Sequence, residues 1–202
     1  MKRVKRRGLL RNAALALAGR DDAEAIAALD GVTMQITIRL LQTEDIELIA
    51  AAFDAIGWNK PAAQFESYLA QQTQGRRVVL VAFADGVFSG YLNIVWEPEY
   101  PPFREAGIPE LQDFNVLPHL RRQGIGSSLM DEAERVVGDR SNLVGIGVGM
   151  TSDYGAAQRL YVRRGYIPDG RGIVYRNHYP AYGDIVRVDD DLVLHFTRRL
   201  HR

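Results

Sequence analysis

Residues 111–137 read LQDFNVLPHLRRQGIGSSLMDEAERVV, and the chain changes period in the middle of them. Leu111–Val116 reads as a strand that Pro118 ends. Arg121 and Arg122 follow, then Gln123-Gly124-Ile125-Gly126, and a helix is expected over Gly124–Val137. The first backbone N–H groups of a helix have no intrahelical partner. Two glycines let the backbone approach a ligand and adopt unusual dihedrals. The helix dipole adds positive potential, Ser127 and Ser128 add hydroxyls, and the two arginines add mobile charge. The sum is an anion cradle suited to a pyrophosphate. An ordinary helix start beside a solvated basic pair remains open at this point. A nucleotide P-loop would need Lys-Ser or Lys-Thr after its last glycine, and neither is present. A dinucleotide GxGxxG fingerprint would need glycine where Leu129 stands.

Working outward, strands and helices alternate from Met34. Gln35–Leu40 places Ile36, Ile38 and Leu40 on one side of a strand. Thr43, Glu44, Asp45 and Glu47 mark a capped helix start, with Ile46, Ile49, Ala50 and Phe53 as its apolar stripe. Gly57 ends that helix, and Pro61 opens another to about Thr73. Val78–Ala84 and Phe88–Trp96 are strands joined by an Asp85-Gly86 hairpin turn. Leu143–Met150 is a strand, Asp153–Arg164 a helix, Tyr166 onward a strand, and Leu192–Arg198 closes the sheet. A hairpin inside this order excludes a uniformly parallel doubly wound sheet. The expected fold is α/β with a mixed, mostly antiparallel sheet flanked by helices.

The chain of 202 residues is one domain with an appendage, 34–202 and 1–33. No run of 18 apolar residues exists, so no helix is expected to span a membrane. Cysteine is absent, which removes thiol nucleophiles and thiolate metal sites and fits a cytoplasmic location. His119, His178, His195 and His201 form no metal-ligand spacing, so no metal is expected. The formal net charge is zero, which argues against a nucleic-acid binder. The asymmetry lies in residues 1–33, which carry seven basic and four acidic groups. Leu9, Leu10, Ala13, Ala14 and Leu17 fall at helical spacing, and Asp21 or Asp22 can cap a second short helix. LRNAALALAGRDDAEAIAALDG resembles a single HEAT-like helical repeat, which cannot bury its apolar face alone. A secretory signal, interrupted by Arg11 and Asn12, and an upstream start codon ahead of Met34 are the other readings.

Arg121, Gly124 and Gly126 match the R/Q-x-x-G-x-G/A turn of the GNAT acetyltransferase superfamily, and Val116-x-Pro118 matches the strand end before it. In LVGIGVG, residues 143–149, the side chains of Val144, Ile146 and Val148 share one face. Gly145, Gly147 and Gly149 leave the other bare, for a ligand or for a packed helix. Ala157-x-x-Leu160-Tyr161-x-x-x-Gly165-Tyr166 then resembles the superfamily's A-x-x-L-Y-x-x-x-G-F/Y signature. Two motifs in order, separated by the right elements, make the resemblance specific over about residues 35–198.

The resemblance implies direct transfer of an acetyl group from acetyl-CoA, a co-substrate, to a primary amine on a small molecule or a protein. It implies that the Gln123–Ser127 backbone, with Gly124, Ile125 and Gly126, holds the pyrophosphate, and that Arg121 or Arg122 screens it. The pantothenyl arm would pair with the backbone near Asn115, Val116 and Leu117, where two strands must splay. A backbone N–H near Val116 would polarise the thioester carbonyl. Tyr161 would protonate the leaving thiolate. Glu97 is the favoured general base over Glu99, Glu110 and Asp113, because a strand end opens onto the acceptor side. Asp113, three residues before Val116, should face the opposite side of the sheet. The WEPEYPPFREAGIPE segment reads as a solvated acidic loop. Trp58, His178, Tyr179 and Tyr182 are candidates to line the acceptor pocket, and Asp189-Asp190-Asp191 reads as a turn. A homodimer is compatible with the family. The rival function is a non-catalytic acyl-CoA-binding or protein-interaction module on the same fold.

Overall fold

The computed structural model describes residues 3–5 and 33–200 of the chain. The helices expected within residues 1–33, the HEAT-like repeat among them, lie outside the described residues, which at that end contribute a short strand. The strands are β1 (Arg3–Lys5), β2 (Thr33–Leu40), β3 (Arg77–Ala84), β4 (Val87–Val95), β5 (Glu110–Val116), β6 (Leu143–Gly149), β7 (Ile167–Tyr175) and β8 (Leu192–Arg199). The helices are α1 (Asp45–Asp54), α2 (Ala62–Thr73), α3 (Pro101–Glu105), α4 (Ile125–Gly138) and α5 (Gly155–Arg163). One sheet runs in the order β1-β2-β3-β4-β5-β6-β8-β7. Every neighbouring pair is antiparallel except β5–β6. The expected α/β fold with a mostly antiparallel sheet is the observed one.

Period-2 alternation gives each strand two faces, and each face has its own core. On one face α4 lays Ile125, Leu129, Met130, Ala133 and Val137 over Leu92, Leu111, Ile146 and Val148. On the other, Phe53 of α1 and Phe65 of α2 pack against Val79, Val81 and Tyr91. Each of the Val, Leu, Ile, Met and Phe side chains among them contributes about 1.5–3 kcal/mol by leaving water.

Three local readings change. Leu40 is half exposed and Leu41 is buried instead, because β2 ends there and the chain turns toward α1. The start of α1 is held by Asp45, not by Thr43: its carboxylate accepts the Gln42 N–H at 2.8 Å and a forked pair of bonds from Arg39, both 2.6 Å. The acidic segment before β5 is not a solvated loop. Pro101 starts α3, and its helix drives Phe103 into a third cluster with Tyr100, Ile108 and Val174.

Phe103 also explains β6. A Cβ on Gly145 would sit 2.2 Å from the Phe103 ring, and one on Gly149 would sit 2.6 Å from the Tyr154 ring. The bare glycine face is therefore occupied by aromatic rings, Phe103 from the short helix α3 and Tyr154 from the turn before α5. Gly145→Ala should cost about 1–3 kcal/mol in urea unfolding. Phe103→Ala should cost about 3–5 kcal/mol, and in its background Gly145→Ala should become nearly neutral. Additive losses in the double variant would show that the ring is not what Gly145 accommodates.

Candidate active site

The site forms where β5 leaves the sheet. A 3-10 turn at Pro118–Leu120 redirects the chain, Arg122 takes φ +60°, and Gly124 takes φ +89° as the residue capping α4. The first bond into α4 runs from the Ser128 N–H to the Gly124 carbonyl at 2.9 Å. Ile125, Gly126 and Ser127 come too early for an i−4 acceptor in the helix, so their N–H groups form the mouth of the cradle. The two glycines act differently. Gly124 supplies the left-handed conformation, whereas a Cβ on Gly126 would meet the Phe114 ring at 3.2 Å. Ser127 is exposed and Ser128 buried. Gln123 donates from Nε2 to the His119 carbonyl at 3.3 Å.

Beside this cradle β5 and β6 part. Their parallel ladder consists of Glu110↔Gly145 and Leu111↔Ile146. Past it, the Gly147 N–H turns to the Glu110 carboxylate, so a side chain ends the ladder. β5 also bulges: Asn93↔Gln112 and Tyr91↔Asn115 leave Asp113 and Phe114 opposite the single residue Leu92. The Leu117 N–H bonds the Ser89 carbonyl on β4 at 3.0 Å. Strand alternation then sends the Val116 N–H and C=O the other way, into the gap. Arg121 Nε already donates to that carbonyl at 3.1 Å, and its guanidinium lies over the Trp58 ring at 5.6 Å. Arg122 is exposed.

Asp113 sits in the bulge at φ +46°. Its Oδ1 accepts from Lys60 Nζ and, at 2.8 Å, Asn115 Nδ2. Its Oδ2 accepts from the Tyr91 hydroxyl and, each at 2.9 Å, Gln64 Nε2 and the Tyr68 hydroxyl. Desolvation, then this carboxylate, push the Tyr68 phenol up to about 12. As the spacing suggested, Asp113 faces α1 and α2 while Val116 packs on the α4 side. Its carboxylate is saturated with donors.

Tyr161 projects from α5 into the α4-side core and is 4% exposed. Burial, then the neighbouring Tyr154, raise its phenol above the usual value, so it stays protonated at neutral pH. Glu110 lies on the other face, 5% exposed, with Gln112 Nε2 donating to Oε2 at 2.8 Å. Burial raises its carboxyl to about 7. His195 of β8 brings Nε2 to 3.7 Å from Glu110 Oε1, and burial lowers this imidazole to about 4. Its ring stacks on Tyr100 with centroids 3.6 Å apart. Tyr100 in turn donates to Asp169 Oδ2 at 2.8 Å and shares a 2.9 Å contact with the Tyr179 hydroxyl. Glu97 is exposed in the turn after β4.

A family model described as the acetyltransferase (GNAT) family matches residues 44–166. The chain belongs to the GNAT acetyltransferase family. A search of curated proteins by sequence finds no match. Among solved structures, GNAT relatives share the fold. The ribosomal-protein-alanine N-acetyltransferase of Brucella melitensis is 19% identical, with 81% of this chain and 99% of that one covered and a TM-score of 0.60. An N-acetyltransferase of Staphylococcus aureus Mu50 is 16% identical, with 83% and 99% covered and a TM-score of 0.61. The yncA protein of Salmonella typhimurium, solved with its cofactor acetyl-CoA, is 19% identical, with 83% and 95% covered and a TM-score of 0.57.

In this GNAT acyltransferase the structure brings together Asn115, Val116, Leu117 and the 121–127 turn at one end of the gap. It sets Tyr161 and Glu110 on opposite faces of the sheet. Of the expected acceptor-pocket residues, Trp58 stacks on Phe53 and Tyr179 reaches Tyr100. His178 and Tyr182 are exposed. Asp189–Asp191 form a turn, with the Asp191 N–H on Asp189 Oδ1. Sequence reasoning passed over His195 and Tyr100. The signal for His195 was a polar residue at an alternating position of a closing strand. Among the described residues, no group of three or more His, Asp or Glu could hold a metal ion, and no helix is long and apolar enough to cross a membrane.

Asp113→Ala would strand Lys60 and two tyrosine hydroxyls, at a cost of about 3–5 kcal/mol in chemical unfolding; a loss below about 1 kcal/mol would mean the network is dispensable. The Glu110–His195 pair makes a second prediction. Between about pH 4.5 and 7 the folded chain holds a Glu110 proton that the unfolded chain has lost, so this contribution to stability falls as pH rises. Between about pH 4 and 6.5 the unfolded chain holds a His195 proton that the folded chain lacks, so this contribution rises with pH. The two nearly cancel in the native protein. Glu110→Gln should leave a rising slope and His195→Gln a falling one, each about 1 kcal/mol per pH unit. Identical slopes in both variants would contradict the opposed shifts.

Proposed function

We propose that this chain is an N-acetyltransferase that moves the acetyl group of acetyl-CoA to a primary amine. The observation that carries the reading is the two-pair β5–β6 ladder opening beside the left-handed Gly124 turn. Together they present a backbone edge beside a helix start, the donors that the amides and the pyrophosphate of a nucleotide-linked pantetheine call for. The residues fit that ligand: the Gln123–Ser127 backbone would take the pyrophosphate, and the β5 edge from Asn115 to Leu117 would take the pantetheine amides. When bound, acetyl-CoA supplies the acetyl thioester. Arg121 must then exchange the Val116 carbonyl for the ligand, while Arg122 stands free to screen its charge.

The chain's own groups divide the proton work between the two faces. Glu110 accepts the proton that the amine loses, since a carboxyl held near neutrality serves both as acceptor and as later donor. This reading prefers Glu110 to Glu97 because Glu110 is buried at the vertex of the splay. Tyr161 donates its O–H toward the departing sulfur from the opposite face. The Val116 N–H points into the gap, where it can polarise a carbonyl. The acceptor is a primary amine, on a small molecule or a protein. The Brucella relative's name points to a protein amine, and the fold supports both.

The test is calorimetric titration of the purified chain with acetyl-CoA, with Gly124→Glu as control. Micromolar binding that the variant loses is expected, because the substitution places a bulky anion in the cradle at φ +89°. Absence of binding by the folded native chain would overturn the reading. With an acceptor found by screening amino acids, polyamines and peptides, Tyr161→Phe should lower kcat roughly tenfold or more while acetyl-CoA affinity holds. An unchanged kcat across pH would remove Tyr161 from the chemistry. Binding without transfer to any amine would favour the non-catalytic module.

A further inference from the structure

Glu110 and His195 stand on strands that are not neighbours, since β6 runs between β5 and β8. They meet over Gly147. A Cβ there would lie 3.4 Å from both Glu110 Oε1 and His195 Nε2. The pair lies at the vertex of the splay, where the Gly147 N–H also reaches the Glu110 carboxylate. Tyr100 covers the imidazole face to face, with an interplanar angle of 3°, and Phe103 meets it edge-on at 5.4 Å. The other ring nitrogen, Nδ1, is buried with no hydrogen-bond partner. The charges that bear on the pair are acidic: Glu99 on Glu110, and Asp169 on His195. Among the described residues, no lysine or arginine forms an ion pair with Glu110.

We propose that His195 is a positioning residue for the general base: its neutral ring presents Nε2–H to the Glu110 carboxylate and thereby sets the pH at which Glu110 can accept a proton. The inference rests on the reading of Glu110 as that base. A neutral imidazole carries one N–H, and the tautomer follows the partner that the other groups impose. Here the carboxylate faces Nε2, so the proton belongs there and the Nδ1 lone pair is the orphan. At 3.7 Å the contact is longer than a hydrogen bond. It acts as a directed dipole that tightens when Glu110 ionises. Removing the donor takes away a group that favours the charged carboxylate, so the carboxyl should become harder to ionise.

The first experiment is NMR of the full chain labelled with nitrogen-15 in histidine, which needs no acetyl transfer. The His195 nitrogens should show the Nε2–H tautomer at about pH 8 and stay neutral down to about pH 5. They should also shift with an apparent pKa near that of Glu110, a step that Glu110→Gln abolishes. An Nδ1–H tautomer, or no such step in the native chain, would overturn the proposal. The second is the pH profile of kcat/KM. His195→Phe should move the acidic limb upward by about half a unit or more, while His195→Gln, which keeps an N–H donor, should hold it. A uniform loss of rate with the limb unmoved would mean that His195 only packs, and would overturn the proposal. The NMR step without any acetyl transfer would support the pairing and sink the reading of Glu110 as a catalytic base.

Discussion

The carboxylate of Asp113 is the constraint on which the geometry of the gap depends. A non-glycine residue at φ +46° is strained, by roughly 1–3 kcal/mol. The strain persists because donors from the α1–α2 connection, α2, β4 and β5 converge on the one side chain. That convergence fixes the bulge, and the bulge bends β5 away just past its two-pair contact with β6. The gap, the exposed Val116 edge and the approach to α4 all follow from the bend. Lys60 neutralises the carboxylate, so Asp113 can anchor the strand without presenting free charge to a substrate. Near the gap, three residues earlier on β5, Glu110 has no lysine or arginine partner among the described residues.

Much of this fold was legible in the sequence. The hairpin followed from Asp85-Gly86, whose φ angles of +50° and +81° are the ones a two-residue turn needs. The α4 start followed from Gly124, and the α5 tyrosine from the resemblance of Ala157–Tyr166 to the family's signature. The bulge was not legible, because Asp113 is no glycine and its strain is supported by residues 45 to 53 positions earlier. α3 was hidden by the acidic letters around it, although Pro101-Pro102 is a favourable helix start. The meeting of Glu110 and His195 depends on two registers at once, β5 with β6 and β6 with β8, and no local pattern encodes such a sum.

The sheet separates two buried ionisable groups with opposite surroundings. The Tyr161 phenol lies among apolar side chains on the α4 face. The Glu110 carboxylate lies on the opposite face among Gln112, His195 and the Gly147 N–H. Burial shifts both groups upward, yet with different consequences. The phenol is carried further from titration, and the carboxyl is carried into the neutral range.

On the face away from α4, Leu143 is the one β6 residue with a side chain. The strand's glycines hand that surface to Phe103 from α3, Tyr154 from the turn before α5, Glu110 from β5, and Val193 and His195 from β8. Beyond Leu143 the strand is thus a blank rail, furnished by four separate segments of chain. Substitution in any one of those segments can reshape what the face admits, while the hydrogen-bonded ladder beneath it stays the same. Variation within such a scaffold is expected to accumulate around the rail, and the rail itself is closed to it.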